Sequence, residues 1–215
     1  MKKILSFLIF AFLIFLIPYQ AQAIVLVDTG APPVSSGGDT LSQAQWLAGQ
    51  FNVADFYSIT DIQGWMGIRS SGLVDVVIYN GSVPGAFPDT KLIPNTGNES
   101  FRQSVFLAGN NNLNDWHGIS GLNWNLSPGD YWVAFENKGI SNFEGWMPSP
   151  APQPLTHYAY YATANGKYIG VDSAIPLGFR INANAVPEPA SLLLFSGGVV
   201  GMLLKKRKKM TKNWL

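Results

Sequence analysis

Short apolar runs with a period of two, separated by turn residues, constrain the fold of this chain more than any other feature. The clearest run is Leu73 to Tyr79, in which Val74, Val76 and Ile78 point one way and the intervening residues point the other. Between the two chain ends, no helical periodicity persists beyond about ten residues. The middle of the chain therefore reads as β-structure.

Eight runs of this kind predict eight short strands and an all-β fold, an antiparallel β-sandwich of jelly-roll type. Residues 24–45 look like a lead-in and residues 137–155 like a loop, because Pro and Gly are frequent there. Ser127 to Asp130 reads as a turn that joins its two flanking strands in a hairpin. The predicted strands are Trp46–Val53, Tyr57–Trp65, Leu73–Tyr79, Phe101–Ala108, Ile119–Leu126, Tyr131–Glu136, Thr156–Thr163 and Leu177–Ile181.

Composition limits how this domain is stabilised and what it binds. The chain has no cysteine, which excludes disulfides, thiol nucleophiles and cysteine–zinc sites. Residues 24–186 hold 6 Lys or Arg and 12 Asp or Glu, so their net charge is 6 − 12 = −6. A domain of this charge offers no basic patch, and we expect no nucleic-acid partner.

The N-terminus has the three parts of a secretory signal peptide. Lys2 and Lys3 precede the uncharged apolar stretch Ile4–Ile17, and Ala21-Gln22-Ala23 supplies a small-x-small cleavage site. We expect a signal peptidase to cut after Ala23. Residues 1–23 would then be the signal peptide, and the folded domain would occupy residues 24–186.

The C-terminus carries a second hydrophobic segment in a different arrangement. Pro187-Glu188-Pro189 precedes 15 uncharged residues, Ala190 to Leu204. A helix of that length spans about 22 Å, which is short of a ~30 Å hydrocarbon core. The positive-inside rule would hold the following basic run in the cytoplasm and leave the domain outside. This run, the topology signal, is Lys205, Lys206, Arg207, Lys208 and Lys209.

Motif, apolar stretch and basic run in this order resemble the PEP-CTERM sorting signal of Gram-negative bacteria. The resemblance covers residues 187–209, with 210–215 left as a short cytoplasmic tail. It implies export, a transient stay in the inner membrane as a C-terminal helix, and processing by an exosortase. Pro187, Glu188 and Pro189 would be the sorting and processing motif. An ordinary C-terminal transmembrane anchor is the alternative.

A looser resemblance concerns the domain itself. Three segments look like parts of the extracellular β-sandwich modules that are often found ahead of PEP-CTERM tails: Trp46–Phe51, Val76–Asn80 and Leu126–Glu136. Those modules mostly have no assigned activity.

Aromatic residues are the best candidates for a contact surface. Trp132 alternates with Tyr131, Val133 and Phe135, so both faces of that strand are apolar or aromatic. One face would lie near solvent unless a loop covers it, and exposed rings can stack on sugars. Packing of the same rings in the core remains open. The candidate glycan contacts are Trp116, Trp132, Trp146, Tyr158 and Tyr160.

Catalytic and metal sites have weaker support in the sequence. His117 and His157 lie on different predicted elements, and no nucleophile elbow occurs. Glu136 and Glu144 are the acids that a glycosidase pair would use. The sequence predicts no cofactor, although Asp39, Asp115 and the Asn110–Asn114 cluster could hold a structural calcium ion.

These observations predict a non-enzymatic, exported exosortase substrate of the cell surface or the extracellular polysaccharide matrix. Its role would be structural or adhesive, as in biofilm or floc formation. There are two alternatives: a carbohydrate-binding module that uses exposed aromatics, and a polysaccharide hydrolase that uses an acid pair. The expected partners are signal peptidase, exosortase, the inner membrane transiently, and extracellular polysaccharide.

Overall fold

Strands dominate the structure, a computed structural model that describes residues 23–31, 38–81, 99–137, 141–148, 155, 157–164, 166–171 and 177–186. The described strands belong to one compact unit, Gln22–Ala185. Within the described ranges, no helix is long and apolar enough to cross a bilayer. The predicted signal peptide, PEP motif, C-terminal helix and basic run lie outside the described residues.

The described part of the chain forms twelve strands. All eight predicted strands are present, with ends shifted by a few residues. Their regular alternation made them visible in the sequence, whereas four shorter or glycine-interrupted strands were not predicted. In chain order the strands are β1 Ala23–Asp28, β2 Gly38–Leu41, β3 Gln45–Val53, β4 Tyr57–Ser70, β5 Gly72–Asn80, β6 Glu99–Leu107, β7 Asn114–Leu126, β8 Gly129–Glu136, β9 Glu144–Pro148, β10 Tyr158–Ala162, β11 Lys167–Val171 and β12 Phe179–Ala185.

The strands form two antiparallel sheets of six strands each. Sheet A has the order β1-β12-β4-β9-β2, and β7 pairs with β4 as well. Sheet B has the order β11-β10-β3-β8-β5-β6. The predicted all-β, antiparallel class is therefore confirmed.

A single apolar core lies between the two sheets, which makes the fold a β-sandwich. Val74, Val76 and Ile78 of β5 are buried in it, as their alternation predicted. Phe135 of sheet B stacks on Phe179 of sheet A, with ring centroids 5.7 Å apart. Burial of such side chains supplies the main driving force for folding in a domain without disulfides.

The outer face of sheet B is buried too. Trp46 stacks on Tyr161 with ring centroids 4.0 Å apart, and Tyr168 meets Tyr161 edge to face at 5.6 Å. Trp132 and Val77 belong to the same cluster and are fully buried. Both faces of β8 are therefore covered, and this explains why its sequence is apolar or aromatic at successive positions.

Two sequence predictions of local structure are wrong. β7 and β8 do not form a hairpin, because β7 pairs with β4 in sheet A and β8 pairs with β3 and β5 in sheet B. The chain crosses between sheets at Ser127–Pro128, where Tyr131 Oη donates to the Ser127 carbonyl oxygen at 3.0 Å. The regions predicted as a lead-in and a loop contain β1, β2 and β9. Their backbone groups are paired in antiparallel ladders, β1 with β12 and β2 with β9.

Candidate functional site

Three tryptophans share the outer face of sheet A. Trp65 of β4 lies opposite Trp116 of β7, and Gly67 of β4 lies opposite Trp146 of β9. Because paired residues of neighbouring strands point to the same face, the three indoles are carried side by side. Each is partly exposed. We call Trp65, Trp116 and Trp146 the tryptophan face.

Gly67 allows Trp146 to lie close against the sheet. A Cβ atom at Gly67 would stand 2.5 Å from Cζ2 and 2.8 Å from Cε2 of the Trp146 ring. The indole thus occupies the space that any side chain at residue 67 would fill. Trp146 is nevertheless partly exposed, so this contact does not enclose the residue.

Trp116 contacts both a neighbouring ring and a cation. Trp65 meets it at 65° with centroids 5.3 Å apart. The Arg180 guanidinium carbon lies 4.2 Å from the centroid of the Trp116 ring. Arg180 also pairs with Asp28, with Nη2 at 3.2 Å from Oδ2. The orientation of Trp116 is therefore fixed by groups on β1, β4 and β12.

Two polar atoms at the tryptophan face have no hydrogen-bond partner among the described residues. They are Trp65 Nε1 and Asn114 Oδ1, both shielded from solvent. Asn114 lies beside Trp146, since its Oδ1 would be 2.8 Å from a Cβ at Gly67. The face thus holds one unused donor and one unused acceptor next to its rings.

The five predicted aromatic contacts do not form one platform. Trp116 and Trp146 are brought together on sheet A. Trp132 is fully buried on the outer side of sheet B. Tyr158 is buried and Tyr160 partly buried, and both contact the core between the sheets. Sequence reasoning missed Trp65, whose register with Trp116 depends on the pairing of β4 with β7.

The most strongly interacting charged group is Glu136, at the end of β8. Its side chain is fully buried, and Tyr79 Oη and Tyr168 Oη donate to its Oε1 at 2.5 and 2.7 Å. Arg102 Nη1 lies 2.9 Å from its Oε2 and 2.7 Å from Asp75 Oδ2. Side chains from three other strands, β5, β6 and β11, therefore surround this buried carboxylate with hydrogen-bond donors.

Burial, followed by the charge of Glu136, raises the pKa of Tyr79 far above its ordinary value. The same two causes raise the pKa of Tyr168. Burial opposes the charge of Arg102, yet its hydrogen bond to Glu99 and the Glu136 carboxylate raise its pKa overall. Both tyrosines therefore remain hydrogen-bond donors, and Arg102 remains a cation.

Glu136 and Glu144 have different environments. Glu144 begins β9 in sheet A and pairs with Arg69 at 3.4 Å, with side-chain exposures of 46% and 66%. It also borders an open pocket of about 330 Å³ lined by residues 42–44 and 141–144. Glu136 faces the buried cluster of sheet B and is not among the residues that line this pocket. No feature of this pocket supplies a second acid opposite Glu144, as a glycosidase pair would need.

The residues considered for calcium are engaged in other contacts. Asn110 Oδ1 accepts from Ile68 N at 2.9 Å, and Asn110 Nδ2 lies 2.8 Å from His117 Nε2. Asn111 and Asn112 have φ values of 57° and 65° and build the turn itself. Among the residues that the structure describes, no group of three or more acids or histidines is placed to hold a metal ion.

The two histidines lie apart, as their sequence positions suggested. Burial lowers the pKa of His117, and the nearby Asp115 carboxylate opposes this effect. Nδ1 of His157 lies 2.6 Å from Gln50 Oε1. Each imidazole therefore contacts a side-chain amide, and neither of these hydrogen bonds involves a hydroxyl nucleophile.

The two predicted processing regions flank one pair of strands. β1 begins at Ala23, which lies opposite Asn184 of β12 in the antiparallel ladder. β12 ends at Ala185. The predicted signal-peptide cleavage position and the start of the Pro187-Glu188-Pro189 motif are thus each within a few residues of the same end of sheet A.

Comparison with known proteins gives one informative match. Residues 185–208 match the PEP-CTERM protein-sorting motif. No curated protein matches the chain. A solved structure described as the infectious bursal disease virus Gx strain aligns with 89% of this chain and 48% of its own, at 10% identity and a TM-score of 0.24. This chain thus spans about half of that structure's length, and a TM-score at this level does not establish a shared fold.

The position of the family match agrees with the resemblance read from the tail, which includes an uncharged stretch and a run of five cations. The motif implies recognition by an exosortase, export, and a membrane-associated intermediate on the way to the cell surface. The chain therefore carries a PEP-CTERM protein-sorting motif at residues 185–208, which begins at the final residue of β12, the last strand that the structure describes.

Proposed function

We propose that residues 24–186 are a non-enzymatic module with a structural or adhesive role in the extracellular polysaccharide matrix, as in a biofilm. The observation that carries the proposal is the sorting motif placed immediately after β12. A signal that is read and then removed leaves the preceding domain as the functional product. That domain is the β-sandwich.

The arrangement of the acids supports a role without catalysis. Glu136, the acid with the most unusual surroundings, is fully buried and bonded to two tyrosines and an arginine. A general acid or nucleophile must reach its substrate, and a carboxylate enclosed in this way does not. The hydrolase alternative therefore gains no support from the geometry.

The strand register supports removal of both chain ends. Signal-peptidase cleavage after Ala23 would leave Ile24 as the first residue, in β1 and opposite Ala183. The module would then lose its signal peptide at one end of the β1–β12 pair and its sorting tail at the same end. Lys205 to Lys209 would hold the tail in the inner membrane with the module outside until processing.

The jelly-roll connection is part of the same proposal. Successive strands cross repeatedly between the sheets, as from β2 in sheet A to β3 in sheet B, then to β4 in sheet A and β5 in sheet B. Such crossovers are characteristic of Greek-key sandwiches and distinguish them from simple meanders.

The test is the mass of the C-terminus in producing cells. Replacing Pro187-Glu188-Pro189 by three alanines should leave export and orientation intact, because these depend on the signal peptide and the cations. It should block release, so that a full-length species accumulates in the inner membrane.

A matched control replaces Met210-Thr211-Lys212 by alanines, beyond the basic run, and should be processed like the wild type. If surface protein from wild-type cells still ends at Leu215, the tail is a permanent anchor and the processing proposal is wrong.

A further inference from the structure

We propose that the tryptophan face of sheet A, formed by Trp65, Trp116 and Trp146, is a binding site for uncharged pyranose polysaccharide. The inference rests on the proposed matrix role and deepens it by naming the surface and the ligand class. It is carried by the side-by-side placement of three partly exposed indoles on one sheet face.

The rings have the shape that sugar recognition requires. Pyranose rings present flat patches of C–H groups, which pack against the faces of aromatic side chains, while their hydroxyls point outward from the ring edge. Trp146 lies against Gly67 and is partly exposed. Trp65 and Trp116 extend the aromatic surface along β4 and β7, so successive sugar units could be contacted.

The indoles are held in place before a ligand arrives. Trp116 is held by contacts with Trp65 and with the Arg180 guanidinium, and Arg180 is held in turn by Asp28. Trp146 packs into the space that a side chain at residue 67 would occupy, and this contact with Gly67 holds the indole. Preformed geometry limits the conformational entropy lost on binding, which favours a weakly interacting ligand such as a polysaccharide.

The polar groups of the face match hydroxyls. A sugar hydroxyl both donates and accepts hydrogen bonds, and the face has one unused donor, Trp65 Nε1, and one unused acceptor, Asn114 Oδ1, among the described residues. Both atoms are shielded from solvent in the free protein. Binding of a sugar at the rings does not depend on them, because the indoles keep their positions when the ligand binds.

The charges of the face favour an uncharged ligand. Arg180 is paired with Asp28, and Arg69, farther along β4, is paired with Glu144. Asp61 shares the face and adds a negative charge, since it alternates with the buried Ile62. An acidic polysaccharide would therefore meet no cation on this face that lacks a carboxylate partner among the described contacts.

The experiment is affinity electrophoresis of the full chain in a detergent without a sugar headgroup. Gels contain hydroxyethylcellulose, laminarin or galactomannan as neutral probes, and alginate as the acidic comparison. We expect at least one neutral probe to retard the wild type and alginate to have no effect. Trp146→Ala and Trp116→Ala should each weaken retention by about tenfold, the worth of one good aromatic contact.

The matched control is Phe106→Ala, which removes an aromatic side chain with 64% exposure from sheet B. It should be retarded like the wild type. Trp146→Tyr keeps an aromatic face and should recover part of the retention that Trp146→Ala loses. Melting curves of every variant separate loss of binding from loss of folding.

Three outcomes would overturn the inference: no retardation by any neutral probe, equal retention of wild type and both tryptophan variants, or stronger retention by alginate. Self-association that disappears in the tryptophan variants, without retention by polysaccharide, would identify a protein contact in its place. None of these results bears on the mass of the processed C-terminus, so the sorting proposal is tested separately.

Discussion

At the scale of single residues, the polar network around Glu136 is the least ordinary feature of the molecule. Its members come from β5, β6, β8 and β11, and their contacts lie on the outer side of sheet B. Taking a carboxylate and a guanidinium out of water is costly unless every charge is paired. The network therefore makes a specific arrangement of these four strands more stable than its alternatives.

Arg102→Met should destabilise the fold strongly, because it leaves the fully buried Glu136 carboxylate without its cation. Removing one partner of a buried ion pair costs about 3–5 kcal/mol of unfolding free energy. Arg69→Met is the matched control, since it breaks the exposed pair with Glu144 and should cost less than about 1 kcal/mol. Urea denaturation measures both, and similar losses for the two variants would contradict the buried role of Arg102.

His117 should make stability depend on pH. Asn110 Oδ1 accepts from Ile68 N, so the Nδ2 group of Asn110 donates to Nε2 of His117, which must be unprotonated. Burial lowers the pKa of folded His117 below its ordinary value of 6.5, so the unfolded chain binds this proton more readily. The contribution of neutral His117 to the unfolding free energy is therefore present above pH 6.5. It is lost as the pH falls from 6.5 to the lower pKa of the folded state.

His117→Gln keeps a hydrogen-bond acceptor but cannot titrate. Between about pH 5 and pH 8, the unfolding free energy of the wild type should fall more steeply toward acid than that of the variant. Other titrating groups are common to both proteins, so the difference between the two curves isolates His117. Parallel curves would show that folding does not shift the pKa of His117.

At the scale of elements, β4 organises sheet A. It pairs with β12 and β9 along one edge and with β7 along the other. Irregularities in the ladder, between Ile59 and Asp61 and between Ile68 and Ser70, change the register along its length. A fourteen-residue strand of this kind can pair with three other strands, because each bulge changes the direction of the side chains that follow it.

Gly118→Ala tests the closeness of β7 to β4. A Cβ at this position would collide with the backbone carbonyl oxygen of Ile62, which cannot move without breaking the ladder. We expect a loss of about 1–3 kcal/mol in unfolding free energy. Gly109→Ala is the control, because its nearest neighbour is the Ser71 Oγ atom at 3.3 Å, and it should change stability by less than about 0.5 kcal/mol. Equal stability of the two variants would be inconsistent with this packing.

At the scale of the whole molecule, charge is divided between the module and the tail. The folded region carries an excess of acids and the tail carries consecutive cations, so the near-neutral total of +1 hides two opposite parts. We expect the cations to orient a membrane segment and the negative charge of the module to favour its solubility after export.

The module should fold without metal or oxidant, because its stability rests on a packed core and it has no cysteine. Circular dichroism of the full chain in detergent should show a β-type spectrum, and its cooperative melting should be the same with and without chelator. Melting that loses cooperativity in chelator would support the calcium alternative at Asp39, Asp115 and Asn110–Asn114. A mainly helical spectrum would contradict the fold.

The sequence by itself determined the strand class, the eight most regular strands and the sorting tail. These are local properties: alternation decides which residues share a face, and a sorting signal is read as a linear segment. It also showed that both faces of β8 are apolar, without showing that both are covered. Glu136 was visible only as an acid at a strand end.

The tertiary structure decided which strands are neighbours, and with them the candidate site. The turn after Leu126 looked like a hairpin, yet the chain crosses there to the other sheet, where β8 pairs with β3 and β5. Trp65, Trp116 and Trp146 come from three strands, and alternation within a strand does not specify the register between strands. The packing of strands and sheets also decides that Trp132 of β8 is fully buried, whereas Trp146 of β9 is partly exposed. Alternation within each strand does not distinguish the two.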